Sequence, residues 1–240
     1  MRGIPRDAFI AGAGLPVQVD NLTLSCVAVP PEVDLTIQQA LAYGCPNAFL
    51  ILAQELGERA MGSLFSTLQL NTPLSLTGQP IRASTPATIA AETAVPEATS
   101  EAVVVDYTKR YLGQGEETIN PLRMALLSAS LINGGSVPEP SILLARRDPG
   151  SEWVYVTELP ATIPLLTNEA ARRMRDALVQ NVGEGPTQAA QRDGLTIGGH
   201  SALAYSGEET QAWFVGFVSL ANNQGAAVVI ILENSADAPL

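Results

Sequence analysis

Apolar residues fall at two different spacings along this chain of 240 residues. A helical spacing of three and four runs through Leu35–Tyr43, Asn47–Leu70, Asn120–Asn133 and Asn168–Val182, which predicts four helices. In the first, Ile37, Ala40 and Leu41 give an apolar face, Asp34 is the expected N-cap, and Gly44–Pro46 breaks the helix. In the second, Phe49, Leu50, Ala53, Leu56, Ala60, Leu64 and Leu68 share a face, and Gly57 marks a kink or a close contact. The third is capped by Asn120, carries Pro121 in its first turn and ends at Gly134-Gly135. The fourth is amphipathic, with Thr167 or Asn168 as its cap.

Shorter apolar runs bounded by turn residues predict strands. Ser141–Arg147 and Trp153–Leu159 read as a hairpin around Asp148-Pro149-Gly150. Leu195–Tyr205, Gln211–Leu220 and Ala226–Glu233 read as a three-strand meander with turns at Ser206-Gly207 and Asn222-Asn223. The last strand holds Val228, Val229, Ile230, Ile231 and Leu232 in succession, which predicts burial on both faces and pairing on both edges. Met1–Pro31 reads as loop with short strand, Asn71–Ser100 as an extended surface loop, and Tyr111–Thr118 as a glycine-containing turn. Helices followed by a meander predict an α+β fold in one domain over residues 1–240, without repeat or linker.

Composition narrows the function classes. Hydrophobic residues at 46% and charged residues at 15% describe a chain able to bury a core. A net charge of -11 argues against nucleic acid or an anionic membrane as a direct partner. No apolar run reaches membrane-spanning length, and Pro5, Arg6 and Asp7 interrupt any signal-like core in Met1–Ile10. The two cysteines, Cys26 and Cys45, read as buried thiols or as one bridge.

Four stretches resemble the penicillin-binding protein transpeptidase domain in colinear order. Ala42–Leu56, AYGCPNAFLILAQEL, is similar to the A-x-S-C-N-T-A-F segment that carries the S-x-N motif. Tyr111–Gly135 resembles the G-Q-G...T-P-L-Q-M-A...A-N-G-G stretch, and Gly198–Phe217 resembles the K-T-G strand followed by H-A-W-F-x-G-F. Val228–Asn234 looks like the strand after it, so the resemblance covers about Asp34 to Asn234. It implies the transpeptidase fold: an antiparallel sheet flanked by helices, here without counterparts to the N-terminal strands and the nucleophile-bearing helix, and cut short after Asn234.

The motif positions depart from the family. Its chemistry needs a serine and a lysine in S-x-x-K and a second lysine in K-T-G. This chain has one lysine, Lys109, and it lies in neither place. Upstream of Gly44 stands one serine, Ser25, and no lysine. The S-x-N positions become Gly44, Cys45 and Pro46, and K-T-G becomes His200, Ser201 and Ala202, followed by Leu203. These replacements remove the acyl acceptor, its base, the proton relay and the cation that would bind a carboxylate. The expectation is therefore a pseudoenzyme or interaction module linked to peptidoglycan synthesis, with no catalytic residue and no cofactor. The alternatives are part of a larger or split D,D-transpeptidase, and a small-molecule binding protein reusing the cleft, near which Tyr205, Trp213 and Phe214 are expected.

Other chemistry-bearing residues have plainer readings. His200 and Ser201 are adjacent on a strand and face opposite ways, so they do not make a base and nucleophile pair. Cys45 reads as a bridge to Cys26 or a buried thiol, in keeping with a family position that packs away from the site. Gly113-Gln114-Gly115 is a structural turn rather than a phosphate loop, having no P-loop lysine. Glu116-Glu117 and Glu208-Glu209 read as solvated turn carboxylates, and Arg172, Arg173 and Arg175 beside Asp176 as a solvated helix face. The free edge of Ala226–Glu233 is expected to be covered by Met1–Pro31, another copy or a protein partner. The resemblance implies an extracytoplasmic location.

Overall fold

A threonine three residues before a glutamine starts the first helix. In the computed structural model, which describes residues 5–70, 74–76, 79–81, 107–114, 118–140, 145–155, 162–206, 209–220 and 224–233, four short strands precede it. They are β1 (Phe9–Ile10), β2 (Val17–Val19), β3 (Leu22–Leu24) and β4 (Leu35–Thr36); β2 and β3 form a hairpin, and β1 pairs with β4. Helix α1 spans Ile37–Ala42, with Thr36 as N-cap in a reciprocal capping box with Gln39. Asp34 is not the cap as expected; its Oδ1 accepts from the Gly12 amide at 2.8 Å and ties the two loops together.

The long helix expected over Asn47–Leu70 is two helices. α2 (Pro46–Leu56) and α3 (Glu58–Thr67) meet at Gly57, whose φ of 79° and ψ of 162° lie outside the helical region. β5 (Leu74–Leu76) and β6 (Gln79–Ile81) form a hairpin within the stretch expected to be loop, and the rest of Asn71–Ser100 lies outside the described residues. α4 (Tyr107–Tyr111) precedes a turn at Gly113, so Tyr111 ends a helix rather than starting a turn.

α5 (Pro121–Ile132) has the cap expected of it: the Asn120 side chain accepts from the Leu122 amide at 2.8 Å. β7 (Ser136–Pro138), β8 (Ala145–Arg146), β9 (Val154–Tyr155) and β10 (Thr162–Pro164) follow, with β8 paired to β9 and β7 to β10. α6 (Asn168–Gly183) is capped by Thr167 and runs into a 3₁₀ segment at Gly185–Ala190. Arg173 pairs with Glu169, and Arg172 and Arg175 with Asp176, on the exposed face.

The meander forms as expected, from β11 (Thr196–Ser206), β12 (Glu209–Ser219) and β13 (Gly225–Leu232), antiparallel in that order. The register pairs Gly198 with Phe217, His200 with Val215 and Ala202 with Trp213, so these share one face. On that face Phe217 is buried with Leu131 of α5 and Ala171 of α6. Two buried hydrogen bonds fix the helices to the sheet: Ser128 Oγ to the Gly216 carbonyl at 2.6 Å, and Asn181 Nδ2 to the Gly199 carbonyl at 2.7 Å. A second core joins Ile10, Leu35, Ala40, Cys45 and Ala48.

β13 differs from expectation. Its side chains alternate: Ala227, Val229 and Ile231 are half-buried, while Val228, Ile230 and Leu232 are exposed, Leu232 by 46%. Only β12 pairs with it among the described residues, and none of the described part of Met1–Pro31 does. An unbroken apolar run satisfies two packed faces, but among the described residues only the face of β13 toward α5 is packed.

Candidate functional site

The positions that the resemblance aligns with S-x-N lie where α1 hands over to α2. Tyr43 caps α1, and the Gly44 and Cys45 amides donate back to the Leu41 and Ala40 carbonyls at 3.3 and 2.9 Å. Gly44 takes φ +59°, a conformation that disfavours any Cβ. Pro46 then occupies the first turn of α2, where its missing N–H costs nothing. Asn47 Nδ2 donates to the Gly12 carbonyl at 2.8 Å.

A second segment closes on this junction. The Val27 and Ala28 amides donate to the Gly44 and Tyr43 carbonyls, each at 3.3 Å. Cys26 and Cys45 are joined as a disulfide, with Cα atoms 4.0 Å apart. A Cβ on Gly44 would stand 2.7 Å from Val27 Cγ2 and 3.4 Å from the Ser201 carbonyl oxygen. The space for a side chain at Gly44 is thus taken up by Val27, while strand β11 stands at ordinary van der Waals distance on the other side.

His200, which the resemblance aligns with the lysine of K-T-G, lies against α1. Its Nδ1 is buried without a hydrogen-bond partner. Burial pushes its imidazole pKa down from 6.5 to about 4, and the Leu41 carbonyl acts weakly in the opposite direction. The ring is therefore neutral at pH 7 and presents no cation to a carboxylate. Ser201 is buried and points to the other face, as strand alternation requires, and Ala202 is half-buried on the His200 face. Of the aromatic residues expected near the cleft, Trp213 shares the His200 face. Tyr205 and Phe214 do not: the register puts both on the Ser201 face.

The structure thus brings Gly44, Cys45, Val27, Leu41, His200 and the backbone of Ser201 together, and leaves the Ser201 side chain apart. Val27 was not singled out in the sequence, and Leu41 was named only as part of the first helix's apolar face. The signal for Val27 was its place beside Cys26, since any Cys26–Cys45 bridge draws it to Gly44. Lys109 is engaged elsewhere, 2.6 Å from Asp20 in the β2–β3 turn. Among the described residues no group of His, Cys, Asp or Glu could hold a metal ion. The Glu116-Glu117 pair and Glu208 lie outside the described residues. No described helix is long and apolar enough to cross a membrane.

The family model described as the penicillin binding protein transpeptidase domain matches residues 28–239. The peptidoglycan D,D-transpeptidase PbpA of Mycobacterium tuberculosis is 23% identical over 215 residues, covering 86% of this chain and 40% of that protein. The chain therefore spans about two-fifths of the length of the curated relatives it matches. Penicillin-binding protein A from M. tuberculosis, solved as an imipenem acyl-enzyme complex, superposes with a TM-score of 0.73 at 20% identity, covering 98% of this chain and 52% of that one. The D,D-transpeptidase domain of a peptidoglycan glycosyltransferase from Eggerthella lenta gives 0.72 at 18% identity, over 98% of this chain and 57% of that chain.

Proposed function

The chain belongs to the penicillin binding protein transpeptidase domain family, and from that premise we propose that it is a non-catalytic member, a single transpeptidase-like domain that binds another polypeptide in peptidoglycan synthesis. The observation that carries this reading is the closure around Gly44. A serine there would need a left-handed backbone and a Cβ 2.7 Å from Val27 Cγ2. The neutral, buried His200 supports it further, because a carboxylate-bearing substrate would meet no charge at that strand position. The Cys26–Cys45 disulfide supports an extracytoplasmic location, since such bridges persist in oxidising compartments.

β13 supports a binding role. It is eight residues long, contains no charge and no proline, and leaves Val228, Ile230 and Leu232 exposed. Natural edges are blunted by charge, bulge or cover, and among the described residues none of these blunts β13. A protein that adds a strand here would complete the sheet. The net charge of -11 opposes self-association and favours a different polypeptide over a second copy. A solution mass of twice the chain, lost in Ile230→Lys, would show a second copy instead.

A second reading has its own observation. The chain spans 40% of its relatives' length, so a serine and a lysine could be supplied from polypeptide outside it, in a larger or split D,D-transpeptidase. Labelling the whole polypeptide that carries this chain with a fluorescent penicillin, beside an active relative, separates the two. Labelling of the control alone supports the non-catalytic reading, and labelling of both refutes it.

A further inference from the structure

Residues 25–34 form a strap without helix or strand between β3 and β4. It lies over Gly44, and its hydrogen bonds there are weak: the Val27 and Ala28 amides reach the Gly44 and Tyr43 carbonyls at 3.3 Å, long for an N–H···O bond. Val29, just beyond, is 90% exposed. The Cys26–Cys45 disulfide is the covalent tie between this strap and the α1–α2 junction.

Its two sulfurs stand in different surroundings. Cys45 is fully buried at the N-cap of α2, an 11-residue helix whose first turn no side-chain hydrogen bond caps. A thiolate on Cys45 would take the place of the usual capping oxygen, where the helix amides and dipole favour negative charge. Cys26 is only half-buried, and its Sγ lies 3.8 Å from the Gly14 carbonyl oxygen. A carbonyl oxygen there favours S–H and disfavours a thiolate. The bridge thus presents Cys26 to an incoming thiolate and offers Cys45 as the better leaving group.

We propose that Cys26–Cys45 is a redox-operated latch, opened by a protein dithiol that attacks at Cys26, and that opening it releases the strap from Gly44. The attacking thiolate forms a mixed disulfide with Cys26 Sγ, and the electron pair of the broken S–S bond leaves on Cys45 Sγ as a thiolate. The second thiolate of the reductant then attacks its own half of the mixed disulfide. The dithiol ends as a disulfide, having passed two electrons to the two cysteines. Cys26 takes up one of the two protons the dithiol gives up, and the other goes to solvent while Cys45 stays a thiolate. Val27, whose Cγ2 closes the space for a side chain at Gly44, is then free to withdraw, and the hollow between the α1–α2 junction and the Ser201 carbonyl opens. The latch holds whether or not the polypeptide labels with penicillin, because neither cysteine is asked to acylate.

The test uses the oxidised full chain in native buffer. Reduced glutathione, followed by iodoacetamide and peptide mapping, should place glutathione on Cys26 and the alkyl group on Cys45, with the reverse product at least about tenfold rarer. Hydrogen exchange measured before and after dithiothreitol should quicken about tenfold or more at the Val27 and Ala28 amides, while β12 stays protected. Glutathione found mainly on Cys45 would overturn the proposal, as would a bridge that is reduced only in denaturing urea. So would Val27 and Ala28 amides that reduction leaves unchanged, or protection lost across β12, which would make the bridge a structural staple and not a latch.

Discussion

Gly44→Ser restores the residue type that the family's S-x-N motif carries, and the structure predicts that the chain resists it. Two costs act together. Placing a Cβ at φ +59° costs roughly 1–2 kcal/mol. The same Cβ would stand 2.7 Å from Val27 Cγ2 and 3.1 Å from Val27 Cβ, an overpacking that costs about 1–3 kcal/mol. Val27 has little freedom to retreat, because its amide is bound to the Gly44 carbonyl and its neighbour Cys26 is bridged to Cys45. The expected loss is therefore about 2–5 kcal/mol. Urea unfolding of wild type, Gly44→Ser, Val27→Ala and the double variant forms a double-mutant cycle. The double variant should recover about 1–3 kcal/mol relative to the sum of the singles, because Val27→Ala removes Cγ2 and leaves the backbone cost. A Gly44→Ser variant within about 0.5 kcal/mol of wild type, or a cycle without coupling, would refute the steric account of this junction.

Two further outcomes follow from the same region. The unfolded His200 imidazole titrates near 6.5 and the folded one at about 4, so the unfolded chain binds more protons between those values, and stability falls as pH drops from 6.5 to 4, by about 3 kcal/mol in full; His200→Gln should flatten this part of the stability–pH curve, and an unchanged slope would contradict a buried neutral ring. Reducing Cys26–Cys45, which closes a loop of sequence separation 19, should lower stability by about 3 kcal/mol, read as a lower urea midpoint in dithiothreitol, and a midpoint that does not move would count against the bridge.

Much of the fold was legible because its signals are local. The meander was announced by apolar runs and turn residues, α5 by Asn120, Pro121 and Gly134-Gly135, and α6 by Thr167. The misses have local causes too. Asp34 and Thr36 are both good caps, and the deciding sign was Gln39 three residues after Thr36, a capping box. Gly57 carried the helical pattern across α2 and α3 while its backbone left the helix. Exposure of β13 was not readable from Val228–Leu232, because an apolar run records what a strand could bury and not what lies against it. At the site, Gly44, Pro46 and His200 stand out by resemblance, whereas Val27 and Leu41 are brought in only by the chain's path. Tyr205 and Phe214 lie on the face opposite His200, which the register settles and nearness along a strand does not.

The non-catalytic reading proposed above requires that these 240 residues hold no acylating serine. Incubation of the chain with penicillin, followed by intact mass, tests it most directly. The chain is expected to keep its unmodified mass at every time point, while an active relative treated alongside gains one penicillin. A stoichiometric adduct mapped to any serine of this chain would contradict it.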